Sequence, residues 1–140
     1  MRVEIVSEED QREPAAAIAA GVRGAARVLG LPRATVTVKL TDPEEMRRLN
    51  RTWRGRDLPT DVLSFPAHGP AGYLGDLAIC PAEAARRAGR GRRPATRDLE
   101  ALAIHGLLHL LGFDHERDDG EMERAEREIG RRLRARRRRR

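Results

Sequence analysis

The sequence predicts an α+β fold: a small mixed β-sheet of about four strands covered by about five helices, with a candidate metal site on a central helix. Three observations predict it. Short β-branched segments alternate with longer segments of helical pattern. Two of the short segments flank a Gly/Pro turn, as in a hairpin. A strongly apolar helix late in the chain carries histidines four residues apart, at ligand spacing. A length of 140 residues suits one domain around one core.

Each element follows in order. Arg2 to Val6 alternates, with Val3 and Ile5 on one side, and reads as a first strand. Glu13 to Leu29 is Ala-rich and helical; Pro14 suits its first turn and Gly30 the position after its end, while Gly21 and Gly24 either weaken it locally or allow another element to come close. Ala34 to Leu40 is a β-branched second strand. Thr41 is expected to cap a helix running to about Trp53, with acids in its first turn. Arg54 to Thr60 reads as a polar loop, Val62 to Phe65 as a short strand stopped by Pro66, His68 to Gly72 as a turn and Tyr73 to Cys80 as a further strand. Pro81 to Ala88 opens a short helix, and Gly89 to Pro94 is a basic loop. Arg97 to Leu111 is an apolar helix stopped by Gly112, and Glu121 to about Arg134 is a polar final helix.

Composition narrows the function classes. No apolar run approaches the roughly 18 residues of a membrane span, and Met1 to Asp10 has no signal-peptide pattern. Cys80 is the single cysteine, which excludes an intramolecular disulfide and paired-cysteine zinc and fits a cytoplasmic setting. The net charge of +6 is carried by the end of the chain: residues 131–140 hold eight Arg and no acid, which leaves the rest at −2. The chain is accordingly divided into a single domain, 1–130, and a basic Arg-rich tail, 131–140. Lys39 is the only lysine. An Arg bias of that kind reflects genome composition as readily as nucleic-acid binding, so it is discounted as evidence for the latter.

The informative segment is His105-Gly-Leu-Leu-His109-Leu-Leu-Gly-Phe-Asp-His115. Residues four apart on a helix share a face about 6 Å apart along the axis, within reach of one ion. Gly112 can adopt a left-handed conformation and let the chain turn back with His115. Three neutral imidazoles leave a fourth tetrahedral position for water, the arrangement of a catalytic zinc, which lowers the pKa of that water toward neutrality. The expectation is one Zn²⁺ per chain on His105, His109 and His115. Three of the four histidines within eleven residues make ordinary core or surface histidines the weaker explanation. His68 lies outside the cluster and is read as a loop residue. The segment is similar to that of zinc metallopeptidases, but the residue after the first histidine is Gly106 rather than their Glu, the general base of peptide hydrolysis. A metallopeptidase-like hydrolase is therefore the alternative.

The sequence resembles the YbeY family of bacterial endoribonucleases. Its pattern His-Gly-x-Leu-His-Leu-x-Gly-Tyr-Asp-His is matched from His105 to His115, with Phe113 for Tyr. Two further blocks, Asn50-Arg-Thr-Trp-Arg-Gly-Arg-Asp-Leu-Pro-Thr-Asp-Val-Leu-Ser-Phe-Pro66 and Leu74-Gly-Asp-Leu-Ala-Ile-Cys-Pro81, match in the same order. The resemblance implies an α+β fold, zinc on the three histidines, and single-strand-specific cleavage in ribosomal RNA processing, notably at the 3′ end of 16S rRNA, with a role in ribosome quality control. It implies RNA and the ribosome as partners, with ribosomal proteins or an assembly GTPase as further candidates, and neither DNA nor membrane. A ribosome assembly factor with structural zinc is the non-enzymatic alternative. Many members carry a His-Ser pair before the histidine helix where this chain has Arg93-Pro94, and the Arg tail is not a family feature.

Arg54 corresponds to a family arginine thought to act in cleavage, and a planar, permanently charged fork suits a scissile phosphate; a solvated loop charge is the plain alternative. Thr60, Asp61 and Ser64 are candidates for the site wall, and Thr60 and Asp61 equally for closing the turn into the strand. Asp76 and Asp114 are candidates for orienting ligand histidines, Asp114 equally for capping its own loop. The acids from Asp114 to Glu128 are expected on a solvated face. Arg86, Arg87, Arg90, Arg92 and Arg93 form a basic patch that either guides a phosphate backbone or is merely exposed. With four aromatic residues, extensive base stacking is not expected.

Overall fold

The structure is a computed structural model that describes residues 1–8, 10–67, 72–91 and 93–139, so His68 and Arg92 lie outside the described residues. Among the described residues the chain forms β1 (Arg2–Val6), α1 (Arg12–Leu29), β2 (Thr35–Leu40), α2 (Pro43–Arg54), β3 (Val62–Pro66), β4 (Tyr73–Ile79), α3 (Pro81–Arg87), α4 (Thr96–Leu110) and α5 (Glu121–Arg138). The strands make one mixed sheet in the order β1-β2-β4-β3. β1, β2 and β4 are parallel, and β3 closes the edge antiparallel to β4 as the expected hairpin partner. The fold is α+β, as the sequence predicts.

Strand alternation sorts the sheet into two unlike faces. Val36, Val38, Leu40, Leu77 and Ile79 point to one side and form the main core with Ile18 and Val22 of α1 and Ala103, Ile104, Leu107 and Leu108 of α4. The other face is only partly covered: Met46 and Leu49 of α2 pack on Leu63, Phe65, Ala78 and Cys80. α1 and α4 cross closely, since a Cβ at Gly21 would stand 3.1 Å from the Glu100 backbone.

Three local expectations change. The α2 cap is Asp42, whose Oδ1 accepts from the Glu45 N–H at 2.7 Å. Thr41 still belongs to the sheet, its N–H donating to the Ile79 carbonyl at 2.9 Å, and the helix starts one residue later than expected. α2 also runs on through Arg54, which therefore ends a helix rather than opening a loop. Finally, the last helix, expected to end at about Arg134, runs on through Arg138, so most of the Arg-rich segment is helical. Leu133 is buried against Gly24 of α1, and Arg137 pairs with the buried Glu100 of α4 at 2.6 Å. One apolar side chain and one buried acid suffice to dock a segment whose composition reads as a solvated tail.

Candidate metal centre

His105 and His109 lie one turn apart on α4, and the end of that helix delivers the third histidine. Gly112 has φ +98°, and the chain folds back through two backbone bonds, Gly112 N–H to His109 O and Phe113 N–H to Leu108 O, each 3.0 Å. That pair closes a helix end and reverses the chain over its last turn. Asp114 steadies the return by accepting from the Glu116 N–H at 3.1 Å and pairing with Arg117, as a loop cap does. His115 then faces the helix. Its ring centroid is 5.6 Å from that of His105 and 5.5 Å from that of His109, and the two helix rings are 4.7 Å apart.

The three histidines offer nitrogen atoms that all lie within 4.8 Å of one another, so they can hold one metal ion. His105 Nε2 and His109 Nε2 are 3.2 Å apart. Two nitrogens bound to one tetrahedral zinc at about 2.0–2.1 Å stand roughly 3.3 Å apart, so the helix rings already have the spacing that zinc requires. Burial, with His105 and His115 alongside, holds the His109 imidazole below its ordinary pKa and keeps it in the neutral, ligating form.

A carboxylate completes this wall. Glu126 of α5 lies with Oε1 2.8 Å from His105 Nδ1. With the Nδ1–H donating to that carboxylate, the Nε2 lone pair is left facing the other rings. Glu126 falls among the acids expected to be solvated, and its role was missed. The signal was available: Met122, Ile129 and Leu133 are the buried side of α5, and Glu126 interrupts that stripe. Asp76, expected to share this task, does not reach the histidines. It sits on the sheet face opposite α4 and accepts from Tyr73 Oη.

Gly106 explains the lack of a helical carboxylate. A Cβ there would come 2.9 Å from Leu77 Cδ2 and 3.4 Å from Val62 Cγ2, so this position packs on the sheet. Ser64 Oγ donates to the Gly106 carbonyl at 3.2 Å and ties β3 to the helix.

The opposite wall belongs to Arg54. Its Nη2 donates to the Ser64 carbonyl at 2.7 Å and Nη1 to the Trp53 carbonyl at 3.2 Å, while Cζ sits 5.3 Å from the Phe65 ring centroid. These contacts swing the guanidinium from the end of α2 across β3. Arg54, Val62, Leu63, Ser64, Pro66, His105 and His109 line one cavity of about 340 Å³. Ser64 is thus a wall residue, as expected. Thr60 and Asp61 do not line this cavity: Asp61 pairs with Arg87 at 3.6 Å, its carbonyl accepts from the Cys80 N–H, and it lines a neighbouring cavity with His105 and Glu126. Among the described arginines of the basic patch, three are paired with acids. Arg86 and Arg87 pair with Glu83, and Arg90 with Asp98.

An α+β domain in which three histidines can hold one ion, two of them lining a cavity with Arg54, defines a candidate metalloprotein. Comparison with known proteins makes the assignment particular. The family model for endoribonuclease YbeY matches residues 4–134, and the chain belongs to that family. It is 44% identical over 133 residues to endoribonuclease YbeY of Anaeromyxobacter sp. strain Fw109-5, covering 90% of this chain and 69% of that protein. It is 43% identical over 140 residues to that of Bradyrhizobium diazoefficiens, covering 89% and 76%. The solution structure of TM1509 from Thermotoga maritima superposes with a TM-score of 0.59 at 30% identity, over 91% of this chain and 85% of that one. Among the described residues no helix is long and apolar enough to cross a membrane.

Proposed function

We propose that this chain is a cytoplasmic zinc-dependent endoribonuclease that cuts single-stranded RNA, acting in maturation of the 16S rRNA 3′ end and in ribosome quality control. The observation that carries the reading is the single cavity lined by Arg54 on one side and His105 and His109 on the other. His105, His109 and His115 hold the ion, and Glu126 fixes the orientation of His105. A bound zinc supplies Lewis acidity beside the phosphodiester. Arg54 takes the non-bridging oxygens of the scissile phosphate. Two of its five N–H donors are spent on the Ser64 and Trp53 carbonyls, and the rest are free for the charge that develops in the transition state. The two anchoring bonds fix the fork in advance, so less ordering is needed at the moment of reaction.

Peptide hydrolysis is the poorer reading, since position 106 packs against Leu77 and offers no base. The test is incubation of zinc-loaded protein with a single-stranded RNA and analysis of the product ends by mass spectrometry. Metal-dependent cleavage that disappears in His109→Ala supports the nuclease. Binding of RNA or ribosomes without cleavage returns the chain to an assembly factor with structural zinc, and cleavage of a peptide panel instead would support the peptidase.

A further inference from the structure

The uncovered face of the sheet carries a groove of about 630 Å³ that the chemistry above does not use. Its floor is Thr37 of β2, Phe65 of β3 and Asp76 and Ala78 of β4, and its wall is Leu49, Trp53 and Arg54 of α2. Sites for small organic ligands typically occupy about 300–1,000 Å³ and combine apolar lining with a few polar groups, and this one does both.

We propose that this groove binds one unstacked RNA base, guanine in preference to the others, with the phosphate of that nucleotide on Arg54. The proposal rests on the RNA reading and extends it to a second site. Three observations carry it.

The first is continuity. Arg54, Ser64 and Pro66 line both this groove and the cavity that holds His105 and His109. A strand whose phosphate lies on Arg54 in the metal cavity therefore has its neighbouring nucleotide at the groove. The second is the aromatic content. Trp53 is 61% exposed and Val6 is 49% exposed, and both line the groove. Trp53 and Phe65 stand edge to face with centroids 6.0 Å apart, and the Arg54 guanidinium lies over Phe65. A large ring left in water beside a cationic plane offers a stacking surface for a base. Although aromatic residues are few in this chain, two of them meet here.

The third is the polar floor. Asp76 is exposed in the middle of an interior strand, on the groove side. Tyr73 donates to one of its oxygens, and Tyr73 Oη lies 2.9 Å from Thr37 Oγ1. This network orients the carboxylate, which can only accept. Guanine presents two adjacent donors, N1–H and the N2 amino group, to one carboxylate. Adenine and cytosine present a single amino donor beside an acceptor nitrogen, and uracil an imino donor between two carbonyls, so each sets an acceptor against Asp76.

Trp53 is the only tryptophan, so its emission reports the groove directly. The experiment titrates the zinc-loaded full chain with guanosine, adenosine, cytidine and uridine monophosphates, with a free tryptophan derivative to correct for absorption. Saturable quenching is expected for guanosine monophosphate, about tenfold tighter than for the other three, as one discriminating hydrogen-bonded pair provides. Asp76→Asn should abolish that preference while leaving zinc content unchanged. The comparison among nucleotides on the unaltered protein decides the matter even if the variant does not fold. Equal quenching by all four, or none, overturns the proposal. Cleavage is scored separately. Selective quenching in a protein that cuts no RNA would sink the nuclease reading and keep the groove, whereas RNA cleavage by a protein whose Trp53 ignores nucleotides would sink the groove alone.

Discussion

The two walls of the cavity are built in different ways. The histidine wall comes from eleven consecutive residues, His105 to His115: one helical turn, one left-handed glycine and a short return. The arginine wall is assembled from the end of α2 and strand β3, held by backbone carbonyls ten residues away in sequence or next door. The first is a local structure whose geometry is set by helix periodicity. The second exists only once the sheet has formed. On the proposed reading, metal holding and phosphate handling are separable, and substitutions should divide them.

The largest effect belongs to the histidine wall. The protein as purified should carry about one zinc per chain, and His105→Ala/His109→Ala should bring metal content to background by elemental analysis. Retention of full metal in that variant would remove both residues as ligands. Next in size, Arg54→Ala should lower the cleavage rate about 100- to 1,000-fold, the typical cost of removing one charge-stabilising donor.

Other substitutions test what supports the histidine wall from behind. Leu133 anchors α5, which carries Glu126, so Leu133→Ala should destabilise the fold by about 2–3 kcal/mol, the lower part of the range for emptying a buried leucine site. Chemical denaturation measures this, and an unchanged midpoint would return residues 131–138 to the status of a solvated tail. Glu126→Ala should weaken zinc binding about 10- to 100-fold, as removal of a carboxylate behind a ligand histidine does. Glu126→Gln should recover part of it, because an amide oxygen still accepts from Nδ1–H; equal losses in the two variants would reduce Glu126 to packing.

The smallest effect is a pH dependence. The folded His109 has its pKa below the unfolded value of about 6.5. Above that value both states are neutral there and the residue contributes fully. As pH falls through the folded pKa the unfolded chain has gained a proton that the folded one resists, and stability is lost. Thermal melts of chelator-treated protein should therefore decline as the pH is lowered past about 6.5, less steeply in His109→Gln. Parallel pH curves would contradict this.

How much was legible follows the same division. Periodicity, caps and Gly or Pro breaks place every described strand and helix to within a few residues, because these signals are local. The histidine spacing was legible because α-helix geometry puts residues four apart on one face. Resemblance singles out Arg54 but not its place on a helix: Gly55 at φ +72° ends α2 one residue later than the polar sequence suggests. Glu126 and Asp76 exchanged roles for a tertiary reason. Which carboxylate faces the histidines depends on how α5 docks and on which sheet face α4 covers, and neither is written in local pattern. Leu133 was overlooked among eight arginines for the same cause, since its partner Gly24 lies more than a hundred residues earlier.

The most direct test of the two-wall account is one protein measured twice. Arg54→Ala is purified, its zinc determined by elemental analysis, and its cleavage of single-stranded RNA followed under single-turnover conditions with saturating enzyme, which removes differences in binding. The account predicts zinc equal to that of the unaltered protein together with a rate lowered by about two to three orders of magnitude, of which Arg54→Lys restores only part because a point charge cannot reproduce the fork. A near-normal rate in Arg54→Ala, or a loss of zinc in step with the loss of cleavage, would contradict it.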